Sequence, residues 1–158
     1  MTGILVIKRA RTVPVDTRQL RQITSVLLSE LLALDNFELG VQLVRAPEMT
    51  RINETFLGHE GVTDVITFDH ASRLTPHAPR LHGELFICHD VAVSQARQFR
   101  TTWPDELVRY LIHGVLHLQG FDDHRAADRR KMKREESRLL RELRRRCPAR
   151  LKHLQLRG

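Results

Sequence analysis

The sequence predicts strands and helices mixed in one layered domain, an α+β or α/β fold. Three observations carry the prediction. Four apolar or alternating segments have strand length, and the stretches between them repeat their apolar residues at helical spacing. The chain of 158 residues has no internal repeat, and at that size one domain buries about 70% of its unfolded surface.

Each element follows from its local pattern. Residues 4–8 read as the first strand. Residues 17–34 form an amphipathic helix, with Leu20, Ile23, Leu27, Leu31 and Leu34 on one face and Asp16 placed to cap its start. Residues 38–44 alternate Leu39, Val41 and Leu43 on one face, a second strand. Pro47 suits the first turn of a short helix that runs to about Phe56. Residues 65–68 and 85–88 are short strands; between them residues 71–82, with Pro76 and Pro79, read as a mobile loop. Residues 91–99 are helical, with Asp90 as N-terminal cap or dipole partner. Pro104 opens a helix packed through Leu107, Tyr110, Leu111 and Leu118. A last helix covers 126–145 and packs through Met132, Leu139, Leu140 and Leu143.

The helix opened by Pro104 carries the run His113-Gly114-Val115-Leu116-His117-Leu118-Gln119-Gly120-Phe121-Asp122-Asp123-His124. Residues i and i+4 of a helix stand one above the other, so both imidazoles reach one metal ion. Gly120 ends the helix in the left-handed conformation and returns the chain towards the same point. This is a metal-binding helix followed by a tight turn, and the turn supplies a third donor, Asp123 or His124. Three protein ligands with a fourth position open form the catalytic pattern for one zinc ion. Asp122 is placed to orient a ligating imidazole through its free N–H. The zinc-peptidase signature has Glu directly after the first His as general base, where this chain has Gly114. Metal chemistry is therefore indicated and ordinary proteolysis is not. His70, His77 and His82 match no ligand spacing; Asp64 and Asp69 flank a strand end, placed either to line the cleft or, for Thr63-Asp64, to serve turn chemistry.

The run His113 to Asp122 resembles, residue for residue, the H-G-x-L-H-L-x-G-(Y/F)-D hallmark of the YbeY endoribonucleases. The resemblance extends to Ile52-Asn53-Glu54-Thr55-Phe56-Leu57-Gly58, to Thr63-Asp64-Val65-Ile66-Thr67-Phe68 and to Gly83-Glu84-Leu85-Phe86-Ile87-Cys88, across about residues 40–136. It implies an α+β fold, a small mixed β-sheet with helices packed around it, and a zinc-dependent, single-strand-specific endoribonuclease acting in small-subunit ribosomal RNA maturation and ribosome quality control. Two positions depart from the family. The third ligand there is usually a His ten residues after the first; here that position is Asp123, with His124 one further on. The family's usual basic catalytic residue is replaced by Leu57, which leaves His59 as the nearest group able to supply a proton or contact phosphate.

Charge is uneven. Residues 125–158 hold 14 Lys/Arg against 4 Asp/Glu, net +10, while residues 1–124 hold 12 against 15, net −3. The expected organisation is a single metal-dependent hydrolase domain at 1–146 and a basic C-terminal tail at 147–158. The run Arg141 to Arg146, with Arg150 and Lys152, is expected to contact RNA or the ribosome. Truncation after Glu142 would then weaken RNA binding. No apolar run approaches the roughly 20 residues that span a bilayer, and the N-terminal charges follow the apolar run, the wrong order for a signal peptide. Cys88 and Cys147 lack metal spacing and fit a reducing cytoplasm. Two other readings share these features: an RNA-binding ribosomal partner with a mainly structural zinc, and a metal-dependent hydrolase of another substrate.

Overall fold

The computed structural model of the protein describes residues 2–71 and 78–157. In chain order the elements are β1 (Thr2–Arg9), α1 (Thr17–Ser25), β2 (Asn36–Val44), α2 (Ala46–Ile52), β3 (Val65–Asp69), β4 (Leu81–Cys88), α3 (His89–Phe99), α4 (Trp103–Leu118), α5 (Ala126–Arg146) and α6 (Pro148–Lys152). Wide π-helical turns extend α1 over Val26–Leu31 and α2 over Asn53–Leu57. The sheet order is β1-β2-β4-β3. β1, β2 and β4 run parallel and β3 pairs antiparallel with β4, so the sheet is mixed, as the family resemblance implies.

Period-two alternation fixes which face of each strand is buried. Along β4 Leu81, Gly83, Leu85 and Ile87 turn inward, and along β2 Phe37, Leu39, Val41 and Leu43 do the same. They meet the apolar faces of α1, α4 and α5 in one core. A smaller cluster on Val44, Met49, Ile52, Ile66 and Cys88 lies beneath α2. Asp16 caps α1, accepting from the N–H groups of Arg18 (3.0 Å) and Gln19 (3.3 Å).

Several elements depart from the sequence reading. The helix predicted to reach Leu34 ends at Leu31, and Ala33 takes a left-handed φ of 50°. β4 begins at Leu81, because Leu81 and His82 pair with Phe37 and Glu38 of β2. Of the predicted loop 71–82, residues 72–77, with Pro76 and His77, lie outside the described residues. Asp90 caps a different helix from the one it opens: it accepts from the Ala46 N–H (2.7 Å) and pairs with Arg45 (3.1 Å) at the start of α2.

The segment read as a tail is docked on the body. Cys147, Leu151 and Leu154 are buried, and Gln155 forms a β-bridge with Val15. The physical reason is plain: three apolar side chains among the cations find the α1 side of the core. Burial pushes both thiols, Cys88 and Cys147, up, so neither is a reactive thiolate. Among the described residues no helix is long and apolar enough to cross a membrane.

Candidate metal centre

α4 is laid tightly on the sheet. At Gly114 a Cβ would stand 2.6 Å from a Leu85 methyl, and at Gly83 one would stand 2.5 Å from Leu118 and 2.6 Å from the Phe68 carbonyl oxygen. These two glycines let α4 sink onto β4, which sets the height of the histidines on its last two turns. Thr102 caps the helix start, accepting from the Asp105 N–H (3.3 Å). The C-terminal end turns at Gly120, whose φ of +99° a residue with a Cβ would resist.

The turn brings Asp123 back over the two imidazoles. His113 Nε2 and His117 Nε2 lie 3.0 Å apart, and Asp123 Oδ2 lies 3.8 Å from the first and 3.5 Å from the second. Those separations bracket the edge of about 3.4 Å of a tetrahedron with ~2.1 Å metal–ligand bonds. His113, His117 and Asp123 therefore form a cluster able to hold one metal ion. Two imidazoles and one carboxylate suit one Zn2+ and leave a fourth position to other ligands.

Both rings are fixed from behind. His117 Nδ1 donates to the Phe121 carbonyl oxygen at 3.0 Å, and His113 Nδ1 bonds the Glu136 carboxylate. Nδ1 is thereby the protonated nitrogen and Nε2 is free to ligate. Burial alone would push the His113 imidazole down; the Glu136 bond and charge, helped by Asp64 and Asp123, outweigh it and leave its pKa raised. Glu136 is only 7% exposed, and its burial is offset by this partner. The sequence reading missed it. A signal was present: Glu136 sits in the stripe Met132, Leu139, Leu140 and Leu143, where an apolar residue is due.

The orienting role expected of Asp122 falls instead to Glu136 and the Phe121 carbonyl. Asp122 is exposed and closes the turn, accepting from the His124 N–H at 3.1 Å, a bond that holds its carboxyl below the usual range. His124 is 88% exposed, with Nε2 at 3.5 Å from Asp122, and does not join the three-donor cluster; it sits with Asp122 and Asp123 in a second acidic group. His59 is exposed on the loop after Gly58, and Leu57 beside it is exposed as well. The His59 backbone N–H donates to the Asn53 carbonyl oxygen at 3.3 Å, and among the described residues neither ring nitrogen makes a hydrogen bond. His70 and His82 meet ring to ring at 5.6 Å, and His82 pairs with Glu38 at 3.2 Å, away from any ligand set.

Replacing Glu136 by Gln should keep a hydrogen bond but remove the charge behind His113. Zinc affinity should fall about tenfold to a hundredfold, measured by competition with a chromophoric chelator. Unchanged affinity would show that Glu136 serves packing alone.

Comparison with known proteins agrees with this geometry. The family model described as endoribonuclease YbeY matches residues 6–144. An endoribonuclease YbeY from Chlorobium luteolum is 43% identical over 93 residues, covering 59% of this chain and 64% of the relative. One from Chlorobaculum tepidum is 43% identical over 94 residues, covering 60% and 65%. One from Anaeromyxobacter is 37% identical over 124 residues, covering 78% and 63%. The matches thus span under two thirds of the length of these curated relatives. The solution structure of a Thermotoga maritima protein shares the fold, with a TM-score of 0.66 over 94% of this chain and 93% of that one at 22% identity. A family match that begins in β1 and ends in the last turns of α5 takes in every element that builds the cluster, and the chain belongs to the YbeY endoribonuclease family.

Proposed function

We propose that this protein is a zinc-dependent endoribonuclease that cuts single-stranded RNA. In this reading it acts in the cytoplasm, in maturation of small-subunit ribosomal RNA and in ribosome quality control. The observation that supports the reading best is the three-donor cluster of His113, His117 and Asp123, with both rings held by Glu136 and Phe121.

When bound there, the ion supplies Lewis-acid chemistry, drawing charge from phosphoryl oxygens and activating water near neutral pH. The chain's own part is positional. Glu136 and the Phe121 carbonyl hold the imidazoles in one tautomer, and the short turn after Gly120 holds Asp123 over them. Asp122 and His124 line the exposed side of that turn. His59 is assigned the proton transfer that the family's basic residue would serve where this chain has Leu57. A mainly structural zinc is disfavoured, because a structural site fills four positions with protein donors and His124 points to solvent.

The test is a labelled single-stranded fragment of small-subunit ribosomal RNA, incubated with the zinc-loaded protein. Internal cuts are expected, lost with chelator and restored by added zinc. Cyclic-phosphate ends would assign attack to the ribose 2′-OH, and other ends to water. Binding without cuts would overturn the nuclease reading in favour of an RNA-binding ribosomal partner. In the same assay, a His59→Ala protein that cuts at the wild-type rate would remove His59 from the account.

A further inference from the structure

The cations of α5 differ in their partners. Towards its C-terminal end most are paired: Arg138 with Glu135, Arg144 with Asp105 at 2.6 Å, Arg145 with Glu142 at 2.8 Å, and Arg146 with Glu142 at 3.5 Å and Glu30 at 3.7 Å, while Arg134 and Arg141 make no ion pair among the described residues. The run that dominates the sequence charge is therefore partly neutralised on the surface. The first turns differ. Arg129 donates to the carbonyl oxygens of Asp123 (3.3 Å) and His124 (2.9 Å), fastening the ligand turn to the helix. Arg130 and Lys133 are exposed, and among the described residues neither makes an ion pair.

These three cations line one cleft of about 390 Å³ that also takes in His113, Asp123 and Glu136. Glu136 is engaged by His113, and Asp123 is engaged by the cluster, so the charge left over in the cleft is positive. Arg130 and Lys133 stand at i and i+3, on one face of the helix. Ala126, in the first turn, lines the same cleft, and no side chain caps that helix start, so its dipole adds to the positive field.

We propose that Arg130 and Lys133, on the face anchored by Arg129, form a phosphate-binding subsite beside the metal cluster that grips the backbone of a single RNA strand. The proposal rests on the nuclease reading for its ligand. A guanidinium takes two phosphate oxygens and an ammonium one, and the sequence of the strand is not read.

The test is binding of a short single-stranded 2′-O-methyl oligonucleotide, which cannot be cut through its 2′ position, to zinc-loaded protein across a salt series. Truncation after Glu142 is unsuitable, since it would remove Leu143, Cys147, Leu151 and Leu154 from the core. The Arg130→Ala/Lys133→Ala protein should bind about tenfold more weakly, with a log–log salt slope shallower by about 1.4 for two lost contacts on a single strand. An Arg130→Gln/Lys133→Gln protein should behave alike. Arg144→Ala/Arg145→Ala, which removes equal charge elsewhere, should keep the wild-type affinity and slope. An unchanged slope in the first pair, equal losses in both pairs, or no binding by wild type would each overturn the subsite. Loss confined to the first pair, in a protein that cuts no RNA, would uphold the subsite and overturn the nuclease reading instead.

Discussion

His117→Ala protein will hold zinc at least about a hundredfold more weakly than wild type and will leave single-stranded RNA uncut. Removing the partner behind a ligating imidazole already costs tenfold to a hundredfold, and removing the imidazole itself costs more. The remaining donors are His113 and Asp123, 3.8 Å apart, with nothing to close the third position. The fold should survive, because alanine is the best helix former and the one bond lost, to the Phe121 carbonyl, is worth about 1 kcal/mol. Zinc at a hundred times its Kd stabilises wild type by about 2.7 kcal/mol, or roughly 5–11 °C of melting temperature at this size. That zinc-dependent rise should vanish in the variant. If zinc lifts the variant's melting temperature as far as it lifts wild type, His117 is not a ligand.

Gly83→Ala should give the second large effect, on stability first and the site second. The added methyl meets the Phe68 carbonyl oxygen at 2.6 Å, and that oxygen belongs to the backbone of the paired strand β3. It also meets both Leu118 methyls, at 2.5 and 2.9 Å. A flexible side chain alone would give way; a strand held by its ladder resists. The cost should be about 3 kcal/mol, a fall of roughly 6–12 °C in melting temperature. Leu118 is the neighbour of His117, so lifting it tilts the last turn of α4 and should weaken zinc binding about tenfold, towards the effect of a lost positioning group. A thermal scan and a zinc titration on one preparation check both. A wild-type melting temperature would mean that β3 and α4 part from Gly83 without cost.

How much of this was readable beforehand depends on how local each cause is. The pair His113 and His117, the stop at Gly120 and the return of Asp123 follow from helical period and one left-handed glycine, all within eleven residues. That Asp123 stands over the two imidazoles while His124 lies exposed beside Asp122 shows only in the folded turn. Glu136 lies 23 positions from the ring it holds, and the contact depends on how α5 crosses α4. Asp90 shows the same limit: its position marks a helix start, but its oxygens serve a helix 44 residues earlier. Net charge was legible and its distribution in space was not. Arg144 is neutralised by an Asp 39 positions away, whereas Arg130, in the same basic stretch, is left beside the ligands.

The contact between Gly114 and Leu85 also bears on enzyme engineering. Changing Gly114 to Glu would complete, on paper, the His-Glu-x-x-His signature of the zinc peptidases. The backbone there already lies so close to the sheet that even a methyl reaches 2.6 Å from Leu85. A grafted carboxylate would have to lever α4 off β4, carrying both imidazoles with it, before it met any substrate. Converting this scaffold to proteolysis would require recarving Leu85 and its neighbours first, so the barrier between the two chemistries is steric rather than catalytic.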